Sequence, residues 1–66
     1  MKYYVVLDIK SEQAFLRIPA GEGLEFAKEM VELLNSNPIL HVLGIVDENN
    51  NVVLEINDFT RFLNTF

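Results

Sequence analysis

Residues 39–46, ILHVLGIV, are apolar on both sides of an extended chain. Extended geometry places alternate residues on the same face of a sheet. One face carries Ile39, His41, Leu43 and Ile45, and the other carries Leu40, Val42, Gly44 and Val46. A strand with two apolar faces is stable when both faces of its sheet are covered. We therefore predict a central strand over residues 39–47 that is covered on both faces.

Three further segments have the period of a strand. Residues 3–10 alternate, with Tyr3, Val5, Leu7 and Ile9 on one face and Tyr4, Val6, Asp8 and Lys10 on the other. Residues 10–13, KSEQ, predict a turn into a second strand over residues 14–18, which Pro19 ends because proline has no N–H to donate. Residues 47–51, DENNN, predict another turn, and residues 52–57 predict the fourth strand. The sequence thus predicts two hairpins.

Two segments have helical spacing instead. Residues 22–35 predict a helix whose apolar face carries Leu24, Ala27, Met30, Val31 and Leu34, with Phe26 and Leu33 flanking them. The opposite face carries Glu22, Glu25, Glu29 and Glu32. A short C-terminal helix is predicted after a cap at Asp58, with an apolar stripe of Phe59, Phe62, Leu63 and Phe66. Because so short a helix is unstable alone, this segment must dock on another part of the chain or on a partner.

The order of these elements is ββαββα, which predicts a single α+β domain over residues 1–66. We expect a four-stranded antiparallel or mixed sheet with one longer helix and a short C-terminal helix. The simplest arrangement places both helices on the same face. Two alternatives stay open: the C-terminal helix covers the second face, or the assignment of faces is wrong by one residue in a strand.

With both helices on one face, the second face of the sheet is exposed and apolar. It would present Tyr4, Val6, Phe15, His41, Leu43, Ile45 and Val53. So large an apolar patch is unusual on a free monomer. We therefore predict a homodimer formed through this face or through a strand edge, and a Leu43→Asp substitution would dissociate a dimer formed through the face.

The charge of the chain limits its partners. Ten acidic and five basic side chains give a net charge of −5, which disfavours direct contact with nucleic acid or with anionic membranes. The glutamates at positions 22, 25, 29 and 32 suit a basic surface on another protein. We predict a small protein-binding module that acts as an inhibitor or adaptor, although a merely solvated helix face is the simpler interpretation of these glutamates.

Residues 17–23, RIPAGEG, connect the second strand to the first helix and suggest a different function. Gly21 and Gly23 can expose backbone N–H groups to an anion, with Arg17 as a counter-charge. Against this, Glu22 adds a negative charge, and the glycine spacing matches neither the dinucleotide nor the P-loop fingerprint. An ordinary strand-to-helix connection is favoured, and binding of a nucleotide or other small anion is the second functional hypothesis, at this loop or at a dimer cleft.

Residues suited to catalysis or metal binding are few. The chain has no cysteine and a single histidine, so we expect no disulfide, metal or cofactor. His41 has no catalytic partner nearby in sequence, and we predict that the protein is not an enzyme. The longest apolar run is too short to span a membrane, and residues 1–2 lead directly into a strand, which predicts a cytoplasmic protein with no membrane partner.

Overall fold

The computed structural model describes residues 1–65, so Phe66 of the predicted apolar stripe lies outside the described residues. Its strands are β1 (Tyr3–Ile9), β2 (Ala14–Pro19), β3 (Val42–Asp47) and β4 (Val52–Glu55). Its helices are α1 (Leu24–Asn35) and α2 (Thr60–Leu63), and a turn of 3-10 helix, Lys10–Glu12, joins β1 to β2. The strands form one antiparallel sheet in the order β2-β1-β3-β4. The predicted α+β fold is confirmed.

β1 and β3 form the centre of the sheet, and β2 and β4 form its edges. Val5 of β1 lies between Ile18 of β2 and Ile45 of β3 in the register. β3 begins at Val42 rather than at the predicted residue 39, and Ile39 is 88% exposed. Every residue of the observed β3 is buried, as predicted for a strand whose two faces are covered. Both predicted hairpins, β1 with β2 and β3 with β4, are present.

α1 covers the first face of the sheet. Ala27 and Val31 are buried against a cluster that includes Val5, Leu7 and Val42, as the helical spacing predicted. The helix begins at Leu24 rather than at the predicted position 22, because Gly23 is extended and serves as its N-cap. Among residues 1–65, no helix is long and apolar enough to cross a membrane.

α2 covers the second face of the sheet, so the prediction that both helices share a face is wrong. Phe59 and Phe62 are 2% and 1% exposed and pack on Val6, Leu43 and Val46. Their rings meet edge to face, with centroids 5.7 Å apart. The physical reason is that two phenylalanine rings supply enough apolar area to cover this face even though α2 is short.

Asp58, the predicted cap, lies one residue before Phe59, which is the N-cap of α2, and its side chain bonds to the first residue of the helix. Its Oδ1 accepts hydrogen bonds from the Thr60 hydroxyl at 2.6 Å and from the Thr60 backbone N–H at 2.9 Å. Both bonds lower the pKa of Asp58, and the bond from the Thr60 hydroxyl has the larger effect. The Asp58 side chain supplies an acceptor for backbone donors that a helix cannot satisfy internally.

A β-bulge in β3 changes which residues face each helix. Val6 lies opposite Gly44 and Leu7 lies opposite Val42, so Leu43 is an extra residue in the pairing with β1. Beyond the bulge, Ile45 packs on the α1 side, and the prediction that it shares a face with Leu43 is wrong. Gly44 lies next to the extra residue, and a Cβ there would meet first the Leu54 backbone of β4 and then the Phe59 ring.

The turn between β3 and β4 is built around the carboxylate of Asp47. Its Oδ1 accepts backbone hydrogen bonds from Asn51 at 3.0 Å and from Asn49 at 2.8 Å. The Asn51 side chain donates to Oδ2 at 3.3 Å. The bond from the Asn51 backbone contributes most, and together these bonds lower the pKa of Asp47 although burial opposes them.

This carboxylate makes stability depend on pH. A carboxyl group with a lowered pKa in the folded state stabilises the fold above its unfolded pKa, and that contribution is lost as pH falls through the folded pKa. We expect the free energy of unfolding to fall less steeply in an Asp47→Asn variant than in the wild type below about pH 4. Urea unfolding at a series of pH values measures both slopes, and equal slopes would contradict the role given to Asp47.

Candidate functional site

The predicted partner-binding face of the sheet lies inside the folded chain. Val6, Leu43 and Ile45 are buried, and Leu43 lies beneath α2. The remaining predicted residues are half-buried or exposed: Tyr4, Phe15 and His41 are half-buried, and Val53 is exposed. The expectation that this face is exposed is therefore wrong, because α2 occupies it. Leu43→Asp consequently cannot test for a dimer, since it would place a charge in the core.

The predicted anion-binding segment is tied to β1 by backbone hydrogen bonds. The Tyr3 N–H donates to the Gly21 carbonyl at 2.8 Å, and the Ala20 N–H donates to the Tyr3 carbonyl at 2.9 Å. Gly21 has a φ of 75°, which glycine adopts readily. Gly23 serves as the N-cap of α1. The segment therefore directs the chain from β2 into α1.

Arg17 does not lie with these glycines. Its guanidinium stacks on the Tyr4 ring, with Cζ 4.2 Å from the ring centroid. Arg17 lines a hollow beside Phe15 and Phe62, whereas Gly21 lines a different hollow beside Tyr3 and Pro19. The Arg17 Nε is buried and has no hydrogen-bond partner within residues 1–65. The three residues of the predicted anion site thus line no common hollow.

The solvent side of α1 brings charged and apolar residues together. We call this surface the outer face of α1 and define it by Glu25, Phe26, Glu29, Glu32 and Leu33. All five residues are exposed. Phe26 and Leu33 are 56% and 75% exposed, which is unusual for side chains of this size.

Helix geometry sets the arrangement of this surface. Phe26 and Leu33 are seven residues apart, about two turns, and therefore lie on the same side of α1. Glu29 is three residues after Phe26 and four before Leu33, so it is a neighbour of both. A shallow hollow is lined by Glu29, Glu32, Leu33 and Ser36. An apolar strip therefore runs beside a row of carboxylates.

The charges on this surface are weakly neutralised. The Lys28 ammonium lies 3.9 Å from the Glu25 carboxylate, and both side chains are largely exposed, so this pair contributes little stability. Glu22, the fourth predicted glutamate, precedes α1 and lies 4.0 Å from the N-terminal ammonium. Within residues 1–65, no cation forms a salt bridge with Glu29 or Glu32. These carboxylates are available to a partner.

Sequence reasoning identified the glutamates of this surface but missed its apolar part. Phe26 and Leu33 were assigned to the flanks of the buried stripe. The signal was their spacing, because positions 26 and 33 repeat after two turns and fall outside the stripe centred on Ala27 and Val31. How far a flanking residue is exposed depends on what α1 packs against, which the helical period alone does not show.

A polar contact at the far end of the sheet joins β1 to α2. The Asp8 side chain is 5% exposed, and its Oδ2 accepts a hydrogen bond from Arg61 Nη1 at 3.0 Å. Its Oδ1 is buried without a partner among the described residues. The backbone N–H of Asp8 donates to the carbonyl of His41 at 2.9 Å, which places the single histidine beside β1.

Among residues 1–65, no group of three or more histidine or acidic side chains is arranged to hold a metal ion. Comparisons of the chain with protein-family models, with curated proteins and with solved structures gave no match.

Proposed function

We propose that this chain is a protein-binding module that docks the outer face of α1 on a basic surface of another protein, as an inhibitor or adaptor in the cytoplasm. The observation that carries the proposal is the exposure of Phe26 and Leu33 beside a row of carboxylates. Exposed apolar side chains rimmed by charge are the usual composition of a docking surface.

The two kinds of residue have different roles in such a complex. Burying a phenylalanine or leucine side chain is worth about 1.5–3 kcal/mol, so Phe26 and Leu33 supply the affinity. Glu25, Glu29 and Glu32 surround them and favour a partner that carries lysine or arginine. The net charge of −5 adds long-range attraction toward the same partner.

The outer face of α1 does not suit a second copy of the chain. Two such faces would bring their glutamates together, and like charges at an interface are unfavourable. A homodimer through the predicted sheet face would require α2 to leave Val6 and Leu43. The proposed function therefore does not depend on self-association, and the expected partner is a different, basic protein.

Affinity capture with matched variants tests the proposal. Tagged wild type, a Phe26→Ser/Leu33→Ser double variant and a Leu16→Ser control are used as bait in extracts of the native host. Leu16 is 49% exposed but lies on β2 and is not part of the outer face of α1. We expect a basic protein that is retained by the wild type and the control and lost from the double variant. Because these side chains are exposed, all three baits should unfold at similar temperatures.

The salt dependence of partner binding distinguishes the contribution of the carboxylates from that of the apolar side chains. Retention of the partner should weaken as salt rises, because the carboxylates at positions 29 and 32 are screened. A Glu29→Gln/Glu32→Gln variant should show weaker binding and a smaller salt effect. Equal capture by the wild type and by the Phe26→Ser/Leu33→Ser variant would contradict the proposal, and so would the capture of acidic partners alone.

A further inference from the structure

A cavity of about 350 Å³ opens at the end of the sheet and shares no lining residue with the hollow on α1. One wall is the end of β1 and the turn that follows it, with Ile9, Lys10 and Ser11. The other wall is the segment that enters β3, residues 39–41. The volume is near the lower end for small-molecule sites, which suits a ligand smaller than a nucleotide.

Hydrogen bonds hold both walls in place without a ligand. The Asp8 N–H donates to the His41 carbonyl at 2.9 Å and joins the two walls. The Ile39 N–H donates to the Asn37 side chain at 3.0 Å, and the Leu40 N–H donates to the Asn37 carbonyl at 3.1 Å. The cavity is therefore formed in advance, and a ligand would not need to order it.

The lining of the cavity combines apolar side chains with polar groups that form no hydrogen bond or salt bridge among the described residues. Ile9 and Leu40 are half-buried against the core, and Ile39 is 88% exposed. Lys10 forms no salt bridge within residues 1–65. In the same described part of the chain, neither the His41 ring nor the Ser11 hydroxyl forms a hydrogen bond.

The charge balance at the cavity favours an anion although the chain as a whole is acidic. Asp8 is the acidic residue that lines the cavity. Its Oδ2 is paired with Arg61 at 3.0 Å, and its Oδ1 is buried without a partner among the described residues. Lys10 therefore supplies the unpaired charge of the lining. A ligand carboxylate can accept hydrogen bonds from the Lys10 ammonium and the Ser11 hydroxyl, while its apolar part lies against Ile39 and Leu40.

We propose that this cavity binds a small organic anion with an apolar body, such as a medium-chain or aromatic carboxylate. The site differs from the outer face of α1 and from residues 17–23, and nothing in it requires the proposed protein partner. The apolar walls provide contact area, and the Lys10 ammonium selects for negative charge.

Matched probes of opposite charge test this proposal. The ¹⁵N-labelled wild type is titrated with hexanoate, hexanol and hexylamine, and amide shifts are followed by NMR. We expect saturable shifts with hexanoate at the amides of residues 9–11 and 39–41, weaker shifts with hexanol, and the weakest with hexylamine. Lys10→Met should weaken hexanoate binding about fivefold to tenfold.

Lys28→Met is the control because it removes the same charge from α1, where Lys28 pairs with Glu25. It should bind hexanoate as the wild type does. Equal affinity for hexanoate and hexylamine would overturn the proposal, as would equal weakening by the two lysine variants. Shifts that do not saturate, or that centre elsewhere on the chain, would also overturn it.

Discussion

Replacing Gly44 with alanine is expected to remove most of the protein's stability. A Cβ at this position would overlap the backbone carbonyl oxygen of Leu54 and lie 3.0 Å from Cε2 of Phe59. The φ of Gly44 is 150°, a backbone conformation that residues other than glycine rarely adopt. The overlap and the backbone strain should together cost about 3 kcal/mol or more.

The total stability of a domain of this size is small, about 5 kcal/mol, so such a loss removes more than half of it and should lower the urea midpoint strongly. Because the overlapping atom belongs to the backbone of β4, no side-chain rotation relieves it. The overlap is removed only if β4 or Phe59 moves. Either movement would disturb the sheet or the packing of the α2 segment on its second face.

Gly23→Ala is the matched control for this experiment. Gly23 has a φ of −98°, and a Cβ there meets no atom within 4 Å. Alanine is a poorer N-cap than glycine, so we expect a loss below about 1 kcal/mol. Urea unfolding followed by circular dichroism measures both variants. A Gly44→Ala protein as stable as Gly23→Ala would contradict the packing described around the bulge.

The bulge at Leu43 and Gly44 is a feature of the fold that the alternating pattern of the sequence did not predict. The alternating pattern predicted four strands and two hairpins, and these were confirmed because side-chain alternation is a local property of an extended chain. A bulge depends on how one strand pairs with another. Nothing in the alternation of β3 shows that Ile45 changes face after Gly44.

The side of the sheet that α2 covers was undetermined for a similar reason. The apolar stripe of Phe59 and Phe62 predicted that the segment must dock, and it does. Which face it reaches depends on the path of the chain after β4, and both paths bury the same two rings. Placing both helices on one face left the other face exposed in the prediction. The residues assigned to a dimer rested on the same error.

The candidate site was partly predictable. The glutamates of α1 follow from helical spacing alone, and they are exposed as predicted. Arg17 was placed with Gly21 because they are close in sequence, but its guanidinium stacks on Tyr4. The cavity beside His41 was not foreseen, since its two walls are about 30 residues apart and meet only through the pairing of β1 with the segment before β3.

Replacing Phe62 with alanine should expose the second face of the sheet. Phe62 packs on the cluster of Val6, Leu43 and Val46, and its ring meets that of Phe15 edge to face at 5.4 Å. Removing a buried phenylalanine side chain costs about 3–5 kcal/mol. We expect a large drop in the urea midpoint and, in the remaining folded molecules, a partly uncovered apolar face.

Two measurements distinguish exposure of the second face of the sheet from a loss of stability alone. Below the unfolding transition, the Phe62→Ala variant should bind the dye 8-anilinonaphthalene-1-sulfonate, and light scattering should show a mass that rises with protein concentration. Leu63→Ala is the control, because Leu63 is the next residue of α2 and is 46% exposed. It should lower stability by less than about 1 kcal/mol and leave the protein without dye binding. If Phe62→Ala behaves like Leu63→Ala, α2 is not the cover of this face, and the apolar residues beneath it become available to a second copy, as the sequence alone predicted.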